Sequence, residues 1–262
     1  MNTAACPITR GEADAVLRLA RIGHSYLGRT VVDGVDLDVS RSEVVALVGP
    51  SGCGKSTLVH VAADVTSPTR GRVERRFDRQ GMVFQDPRLL PWATALDNIA
   101  YPLALAGVAR AARRERARAA AARVELAEED LDKFPVELSG GMRQRTAIAR
   151  ALVVAPDFVF FDEPFTALDV ALKRRMQDLV IAAASEARFS ALFVTHDLAE
   201  AARIADRIVV MDTNGRGLVG ERRLPGRPGT RDDAEVFRLV SGFLADDPLF
   251  RHVNDVDERR RA

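Results

Sequence analysis

The chain has 262 residues and is 47% hydrophobic, which suits one large or two small globular domains and excludes collagen-like, disordered and integral membrane proteins. Its 38 basic and 37 acidic residues leave a formal net charge of +1, so no global field favours nucleic acid or an anionic membrane. Cys6 and Cys53 lie far apart, which argues against a disulfide framework, and no export signal or membrane span is recognisable, so we expect a cytoplasmic protein.

Hydrophobic periodicity divides the chain into alternating strands and helices. Alternating apolar residues at Val16–Ile22 and Val31–Val39 predict half-exposed strands, whereas the unbroken apolar run Val44–Val48 predicts a strand buried on both faces. The unbroken pattern recurs at Phe158–Phe161, Ala191–Val194 and Ile208–Met211. Helical patterns lie between these strands, at Lys55–Ala63, Ser139–Val154, Leu168–Ala187 and Leu198–Ala205. The alternation predicts an α/β fold with a mostly parallel sheet covered by helices.

One segment interrupts this alternation. Residues Ala95–Glu137 are rich in Ala and Arg and carry no buried-strand pattern, so we expect a helical subdomain inserted at about residues 90–155. The tract Arg110–Arg123 holds six arginines, and because acidic residues follow it directly, a solvated helix face is favoured over a nucleic-acid patch. From Glu221 onward the chain is polar, with a Pro- and Gly-rich linker and a short helical stretch at about Asp232–Leu244.

The most specific chemical motif follows the first buried strand. Residues 49–57 fit the pattern G-x-x-x-x-G-K-[ST] between a strand and a helix, which is the context of a phosphate-binding loop. Backbone N–H groups of such a loop turn around phosphate oxygens, and the helix N-terminus adds partial positive charge. Lys55 is predicted to contact the β- and γ-phosphates, and the Ser56 hydroxyl to bind Mg²⁺. The predicted nucleotide-binding residues of the loop are Gly49, Pro50, Ser51, Gly52, Cys53, Gly54, Lys55, Ser56 and Thr57.

Two carboxylates follow the apolar strand Phe158–Phe161. Asp162 at the strand tip is placed to hold Mg²⁺, and Glu163 is placed to orient or deprotonate an attacking water. A strand that ends in Asp-Glu is weak evidence by itself. Combined with the phosphate loop, it is a strong indication of nucleotide chemistry.

A third motif, Leu138–Met142, distinguishes among the nucleotide-binding classes. It places the hydroxyl of Ser139 and the bare backbone of Gly140 and Gly141 at a helix start, an anion-binding terminus that a simple phosphate-loop kinase or GTPase would not need. With this motif the sequence resembles the ATP-binding subunits of ABC transporters, over about residues 16–219. In that family the signature motif reaches across a head-to-tail dimer to the γ-phosphate held by the other subunit, and the resemblance implies this role for residues 139–141.

The resemblance also implies roles for four isolated residues. Tyr26 is similar to the aromatic residue that stacks on adenine, and Gln85 to the glutamine that contacts Mg²⁺ and the attacking water. Asp169 is similar to the aspartate that lies across the dimer, and His196 to the histidine that hydrogen-bonds the γ-phosphate and steadies the carboxylate after the strand. The cofactors implied are ATP and Mg²⁺. The implied catalytic residues are Lys55, Gln85, Glu163 and His196, with Ser56, Gln85 and Asp162 as the metal ligands.

The run Leu89-Leu90-Pro91-Trp92 resembles a segment of the importer ATPases that serve nitrate, sulfonate, taurine and bicarbonate systems. The resemblance implies that Leu89, Leu90 and Trp92 help to form the groove that receives a cytoplasmic helix of an integral membrane permease. It also implies a dimer with a second copy or a close relative, at the cytoplasmic face of the membrane, a solute-binding protein as an indirect partner, and no nucleic acid. The expected organisation is a tail at residues 1–15, an ATPase domain at 16–220 and a C-terminal linker and helical tail at 221–262.

Two other interpretations stay open from the sequence. A soluble ABC ATPase of translation, repair or complex assembly usually carries two ATPase modules or a long coiled-coil insertion, and this chain shows neither. An exporter ATPase would share all the same catalytic residues, because the permease sets the direction of transport. The solute itself is not readable from this chain, since in such an architecture it touches the binding protein and the permease.

The sequence departs from the family pattern at three places that concern the backbone, and at Met142, which replaces the glutamine of many signature motifs. Residues 71–80 lack about a hairpin, so we expect a trimmed antiparallel subdomain, with an effect on how adenine is covered. Asp64 and Ser42 stand where relatives usually have glycine. These two positions raise a question of local backbone geometry and remove no catalytic group.

Overall fold

The computed structural model describes residues 14–213 and 216–251. Within these ranges the strands are β1 (Ala15–Tyr26), β2 (Arg29–Ser40), β3 (Val44–Val48), β4 (Arg70–Arg75), β5 (Gln80–Val83), β6 (Phe158–Asp162), β7 (Ser190–Val194), β8 (Arg207–Met211) and β9 (Leu218–Arg223). The α-helices of the same ranges are α1 (Lys55–Ala62), α2 (Ala95–Leu105), α3 (Arg110–Arg123), α4 (Gly140–Leu152), α5 (Val170–Ala187), α6 (Leu198–Ile204) and α7 (Asp233–Asp246). None of these helices is both long and apolar enough to span a bilayer.

The strands form two sheets of different character. The larger has the order β5-β6-β7-β3-β8-β9, and its neighbours are parallel except for the β8–β9 pair. Strands β3, β6, β7 and β8 are buried along their whole length, which is why their sequences are nearly unbroken apolar runs. The smaller sheet is antiparallel, with the order β2-β1-β4. The predicted α/β fold with a mostly parallel sheet is confirmed.

The larger sheet has a hydrophobic layer on each face. Val45 and Leu47 of β3 pack with α1 and the smaller sheet, whereas Val44, Ala46 and Val48 face α4, α5, α6 and the helical subdomain. This division follows from the period of two along a strand. The parallel strands are therefore enclosed between two apolar layers.

Strands β4, β5 and β9 have no counterpart among the predicted strands. β4 and β9 lie at sheet edges and consist mostly of charged or partly exposed residues, so no apolar alternation marks them. β5 has only four residues, which is too short to show an alternating pattern. One of them is Gly81, where a side chain would not fit, because its Cβ atom would lie 2.7 Å from the carbonyl oxygen of Ala151. β9 also runs across residue 220, the predicted end of the ATPase domain, and it pairs with β8 as far as Arg223.

The predicted helical insertion is present between β5 and β6. Residues 84–157, all of them described, contain α2, α3, α4 and two short 3-10 turns, and no strand. Helix α3 buries Ala117 and Ala121 and leaves its arginines at the surface. Three of these arginines form ion pairs, Arg114 with Asp97 at 3.1 Å, Arg118 with Glu128 at 2.7 Å and Arg123 with Glu186 at 3.4 Å. The arginine tract is therefore a solvated helix face, as predicted.

The three backbone departures from the family pattern, at residues 71–80, Ser42 and Asp64, are visible in the structure. Residues 71–80 supply the rest of β4 and a short connection to β5, so the antiparallel sheet has three strands in the described part of the chain. Ser42 has a φ of 53° and Asp64 a φ of 63°. Both residues therefore adopt the left-handed conformation that glycine takes without a steric cost.

The C-terminal segment is attached to the body of the domain. Asp232 caps α7, and Glu235 completes a capping box by accepting the Asp232 N–H at 3.1 Å. The buried Arg231 donates to the carbonyl oxygens of Ala202 at 2.7 Å and Ala205 at 2.9 Å, which ties the linker to α6. Residues 1–13 and 252–262 of the predicted tails lie outside the described residues, and the division into domains stays a prediction.

Arg207 is a buried charge that links both sheets. Its guanidinium Nε lies 3.0 Å from Glu43 Oε1, its Nη2 donates to the carbonyl oxygen of Asp38 at 2.7 Å, and its Nη1 pairs with Glu221. Burial alone would lower the pKa of Arg207, but the hydrogen bonds and charge of Glu43 outweigh burial and raise that pKa. The guanidinium is therefore charged in the folded protein.

We expect Arg207→Met to lower the free energy of unfolding by about 3 kcal/mol, because it removes the buried guanidinium that forms an ion pair with the buried carboxylate of Glu43. Urea unfolding followed by circular dichroism measures this loss. Arg222→Met is the matched control, since Arg222 forms a more exposed pair with Asp247 and its removal is expected to cost under about 1 kcal/mol. Equal losses in the two variants would contradict the assignment of Arg207 as a structural charge.

Candidate active site

The candidate site lies where the carboxyl ends of parallel strands meet. Leu47 near the end of β3 is in register with Val194 of β7, and Val194 is in register with Asp162 of β6. Segments that leave these three strands therefore start side by side at one edge of the sheet, which is where ligands bind in open α/β sheets.

The loop between β3 and α1 has the form of a phosphate cradle. Gly54, the residue before α1, has a φ of 102°, and a Cβ atom there would lie 3.0 Å from the carbonyl oxygen of Val31. The Lys55 side chain is buried, and its Nζ donates to the carbonyl oxygens of Gly49 and Pro50, both at 2.8 Å. The ammonium is thus held inside the loop with hydrogen bonds that phosphate oxygens can replace.

Cys53 lies in the same loop but is chemically quiet. Burial raises the pKa of its thiol, although the nearby Lys55 opposes the shift. The thiol is therefore protonated near neutral pH, and in the described part of the chain Cys53 is a free cysteine.

Ser56 and Asp162 form a pair of oxygen donors at the start of α1. Ser56 Oγ donates to Asp162 Oδ1 at 2.9 Å, and His60 Nε2 lies 3.4 Å from Asp162 Oδ2. Hydroxyl and carboxylate oxygens suit Mg²⁺, which usually takes few protein ligands and completes its shell with water and phosphate. In the described part of the chain no cluster of three or more His, Cys, Asp or Glu side chains is placed to hold a metal ion.

Two other predicted residues, His196 and Gln85, contact the carboxylate of Glu163. Its Oε2 lies 3.1 Å from Nδ1 of His196 and 3.5 Å from Nε2 of Gln85. Its backbone N–H donates to the carbonyl oxygen of Val194 at 3.0 Å, and Thr166 Oγ1 donates to its carbonyl oxygen at 3.1 Å. Glu163 also has a φ of 46°, a strained conformation for a residue with a side chain, of the kind concentrated at functional sites.

The residues predicted to act across a dimer form a separate group. Ser139 Oγ accepts the Met142 N–H at 3.2 Å and caps α4, while Asp169 Oδ1 accepts the Leu172 N–H at 2.9 Å and caps α5. Cβ atoms built on Gly140 and Gly141 would lie 3.9 Å from Ala167 and 3.4 Å from Leu168, so the two helix starts are neighbours. Among the described residues no hydrogen bond joins this group to the loop of residues 49–57.

Tyr26 lies at the tip of the small sheet and is 47% exposed. Its ring meets the ring of His24 edge-on, with centroids 4.5 Å apart. Strand β2, which pairs with the Tyr26 strand, contacts the phosphate loop through Val31 and Val32 beside Gly54. An exposed aromatic face therefore lies on the sheet that adjoins the phosphate loop.

The buried side chain of Asn98 hydrogen-bonds the backbone of the segment that is predicted to dock a permease. Asn98 Oδ1 accepts the Leu90 N–H at 2.8 Å, and its Nδ2 donates to the carbonyl oxygens of Leu90 at 3.1 Å and of Ala93 and Thr94 at 3.0 Å. Trp92 is 75% exposed, while Leu89 and Leu90 are partly buried. The exposed Trp92 side chain therefore projects from a loop whose backbone is hydrogen-bonded to Asn98.

Three contributors to the site were not foreseen from the sequence. His60 lies four residues after Ser56 on α1, and this helical spacing was the available signal that it faces Asp162. Thr166 hydrogen-bonds Glu163, and Asn98 organises the segment before α2. No spacing rule marks these last two residues, because tertiary packing sets their partners.

Comparisons with known proteins agree with this geometry. The family model described as ABC transporter matches residues 32–166. The chain is 43% identical over 241 residues to a Burkholderia thailandensis protein named aliphatic sulfonates import ATP-binding protein SsuB, covering 90% of this chain and 69% of that one. It is also 43% identical over 225 residues to the Nocardia farcinica aliphatic sulfonates import ATP-binding protein SsuB 1, covering 84% and 87% of the two chains.

A solved structure is similar over most of the fold. It is the dimeric structure of a post-hydrolysis state of the ATP-binding cassette MJ0796 bound to ADP and Pi, with a TM-score of 0.75 and 31% identity over 80% of this chain and 99% of that one.

Proposed function

This chain belongs to the ABC transporter family as an ATP-binding subunit that hydrolyses ATP, and we propose that it powers a bacterial importer for sulfonates or similar small organic anions. The observation that carries the catalytic part is the meeting of Gln85 and His196 on the Glu163 carboxylate, directly beside the Ser56–Asp162 pair. The importer class is supported by relatives that are named as aliphatic sulfonates import ATP-binding proteins.

The proposed chemistry divides among residues of one subunit. Lys55 and the backbone of residues 49–57 bind the phosphates, and Tyr26 stacks on the adenine. Glu163 orients the attacking water and accepts its proton, while His196 fixes the carboxylate and reaches the γ-phosphate. Ser56, Asp162 and Gln85 would hold Mg²⁺, which supplies charge neutralisation at the β- and γ-phosphates.

The remaining donors come from a second subunit. Ser139, Gly140 and Gly141 form the N-terminus of α4, where a hydroxyl and free N–H groups suit a phosphate, and Asp169 lies beside them. These residues lie next to each other, and no hydrogen bond among the described residues joins them to the phosphate loop of the same chain. This arrangement supports a site that is completed by the partner subunit. Two sites of this kind would close together in a head-to-tail dimer and open after hydrolysis.

The proposed partner in the membrane is a permease whose helix docks near Leu89, Leu90 and Trp92, at the cytoplasmic face. A solute-binding protein would act indirectly through that permease. The support is the exposed Trp92 ring on the loop whose backbone is hydrogen-bonded to Asn98, since aromatic anchors dominate binding at interfaces.

Growth on an alkanesulfonate as the sole sulfur source tests this proposal in the organism that encodes the chain. Deletion of the gene is expected to abolish this growth, and the wild-type gene to restore it, while growth on sulfate is unaffected. Undiminished growth of the deletion strain on a panel of alkanesulfonates would contradict the solute class.

We expect Trp92→Asp to fail to restore growth on the sulfonate, because it places a charge where an apolar anchor enters the permease. Phe237→Asp is the matched control, since Phe237 is similarly exposed, at 72%, but lies on α7. Growth rate and the amount of each variant in the membrane fraction are measured together. Full restoration by Trp92→Asp would contradict the assigned docking surface.

A further inference from the structure

Lys173 is one of three lysines among 38 basic residues, and the site described above does not use it. It lies in the first turn of α5, where its backbone N–H donates to the carbonyl oxygen of Asp169 at 2.8 Å. Its ammonium Nζ lies 2.9 Å from Asp197 Oδ2 and 2.5 Å from Glu200 Oε1. Lys173 therefore joins the start of α5 to the start of α6, directly after His196.

The two carboxylates that contact Lys173 hold both neighbours of His196. Thr195, before the histidine, donates from Oγ1 to Glu200 Oε2 at 2.5 Å and accepts the Asp197 N–H at 3.0 Å. Asp197, after the histidine, accepts the Ala199 N–H at 2.8 Å and so caps α6. The imidazole projects from a three-residue segment whose two flanks are fixed through the same network.

The charges of this network depend on Lys173. Burial alone would lower the pKa of Lys173, but its hydrogen bonds to Glu200 and Asp197 outweigh burial and raise that pKa. Burial would raise the pKa of Asp197, yet the hydrogen bond and charge of Lys173 keep that pKa below its ordinary value. If the ammonium is removed, two neighbouring carboxylates repel each other, and the segment that carries His196 loses the charge that ties its two flanks together.

We propose that Lys173 is a positioning residue that couples Asp169 to His196. The inference rests on the proposed function, in which Asp169 lies across the dimer and His196 reaches the γ-phosphate. A displacement of the α5 start during dimer closure then passes through one ammonium to the segment Thr195–Asp197. Contact of the partner subunit with Asp169 is thereby passed on to the segment that carries the imidazole.

The test is steady-state ATP hydrolysis by purified variants. Lys173→Met keeps the length of the side chain and removes its charge, and we expect kcat to fall about 10²-fold, the effect of displacing a catalytic group by about 1 Å. KM for ATP is expected to stay within about threefold, because the phosphate loop is untouched. Lys173→Arg keeps the charge and can bridge both carboxylates, so kcat within about fivefold of wild type is expected.

The neighbouring Arg174 provides the matched control. It lies in the same turn of α5 but pairs with Asp233 at the start of α7. Arg174→Met is expected to keep kcat within about twofold of wild type, as for most surface ion pairs. A loss equal to that of Lys173→Met would overturn the proposal, since any ion pair of this helix would then have the same effect.

A double variant separates positioning from folding. Lys173→Met with Glu200→Gln removes one of the two uncompensated carboxylates and so their mutual repulsion, and the melting temperature is expected to return toward wild type while kcat stays low. Recovery of kcat together with the melting temperature would overturn the coupling. His196→Ala in the same assay tests the underlying site. An unchanged kcat of His196→Ala would contradict the catalytic role of His196. A lowered kcat of His196→Ala together with a wild-type kcat of Lys173→Met would contradict the coupling alone.

Discussion

Glu163→Gln is expected to lower the rate of ATP hydrolysis by about 10²- to 10³-fold, because the amide cannot accept the proton of the attacking water. The substitution keeps the shape of the side chain and its ability to hydrogen-bond His196, which lies 3.1 Å away. ATP should therefore still bind, and the closed dimer should persist because the step that opens it is blocked. Phosphate release measures the rate, and light scattering on a sizing column measures the dimer in the presence of ATP.

Glu186→Gln controls for the loss of one carboxylate. Glu186 lies at the surface near the end of α5, where it pairs with Arg123. We expect this variant to hydrolyse ATP at close to the wild-type rate and to show no ATP-dependent dimer beyond that of wild type. A Glu163→Gln protein with wild-type turnover would show that another group is the base.

Lys55→Met is expected to weaken ATP binding by about 10²-fold, the loss of about 3 kcal/mol in charge-assisted hydrogen bonds to the phosphates. In the structure the ammonium is already inside the loop, bonded to the carbonyl oxygens of Gly49 and Pro50. The wild-type loop therefore needs little rearrangement to bind, whereas the variant places an apolar group in a cradle of carbonyl and N–H dipoles. Titration calorimetry with ATP measures the dissociation constant.

Lys133→Met is the control for the loss of one lysine. Lys133 pairs with Asp130 at the surface of the helical subdomain, remote from the loop in the chain. ATP affinity within about twofold of wild type is expected, as for an exposed ion pair. Equal loss of affinity in the two lysine variants would count against the phosphate loop as the binding element.

Much of the fold was predictable because burial leaves a simple mark on a sequence. The central strands are enclosed on both faces, so Val44–Val48 and Phe158–Phe161 are continuous apolar runs of strand length. The edge strands Arg70–Arg75 and Leu218–Arg223 have one exposed side and many charges, and pairing with a neighbour decides their conformation. Edge strands of this kind can be assigned only when the strand that pairs with them is known.

The candidate site shows the same contrast. The loop at residues 49–57 could be predicted in detail, since one contiguous segment carries all of its geometry. Gln85 and His196 are single residues after short strands, and only the resemblance to a family marked them as residues of the site. The contacts of His60 with Asp162 and of Lys173 with Glu200 arise from packing between elements distant in the chain.

The most direct test of the account is to isolate tagged Glu163→Gln protein from its native membrane in mild detergent with ATP, and to identify the bound chains by mass spectrometry. We predict recovery of a permease with several membrane spans together with a dimer of the ATPase. Recovery of soluble or ribosomal proteins alone would contradict the transport function and leave the ATP chemistry of the site intact.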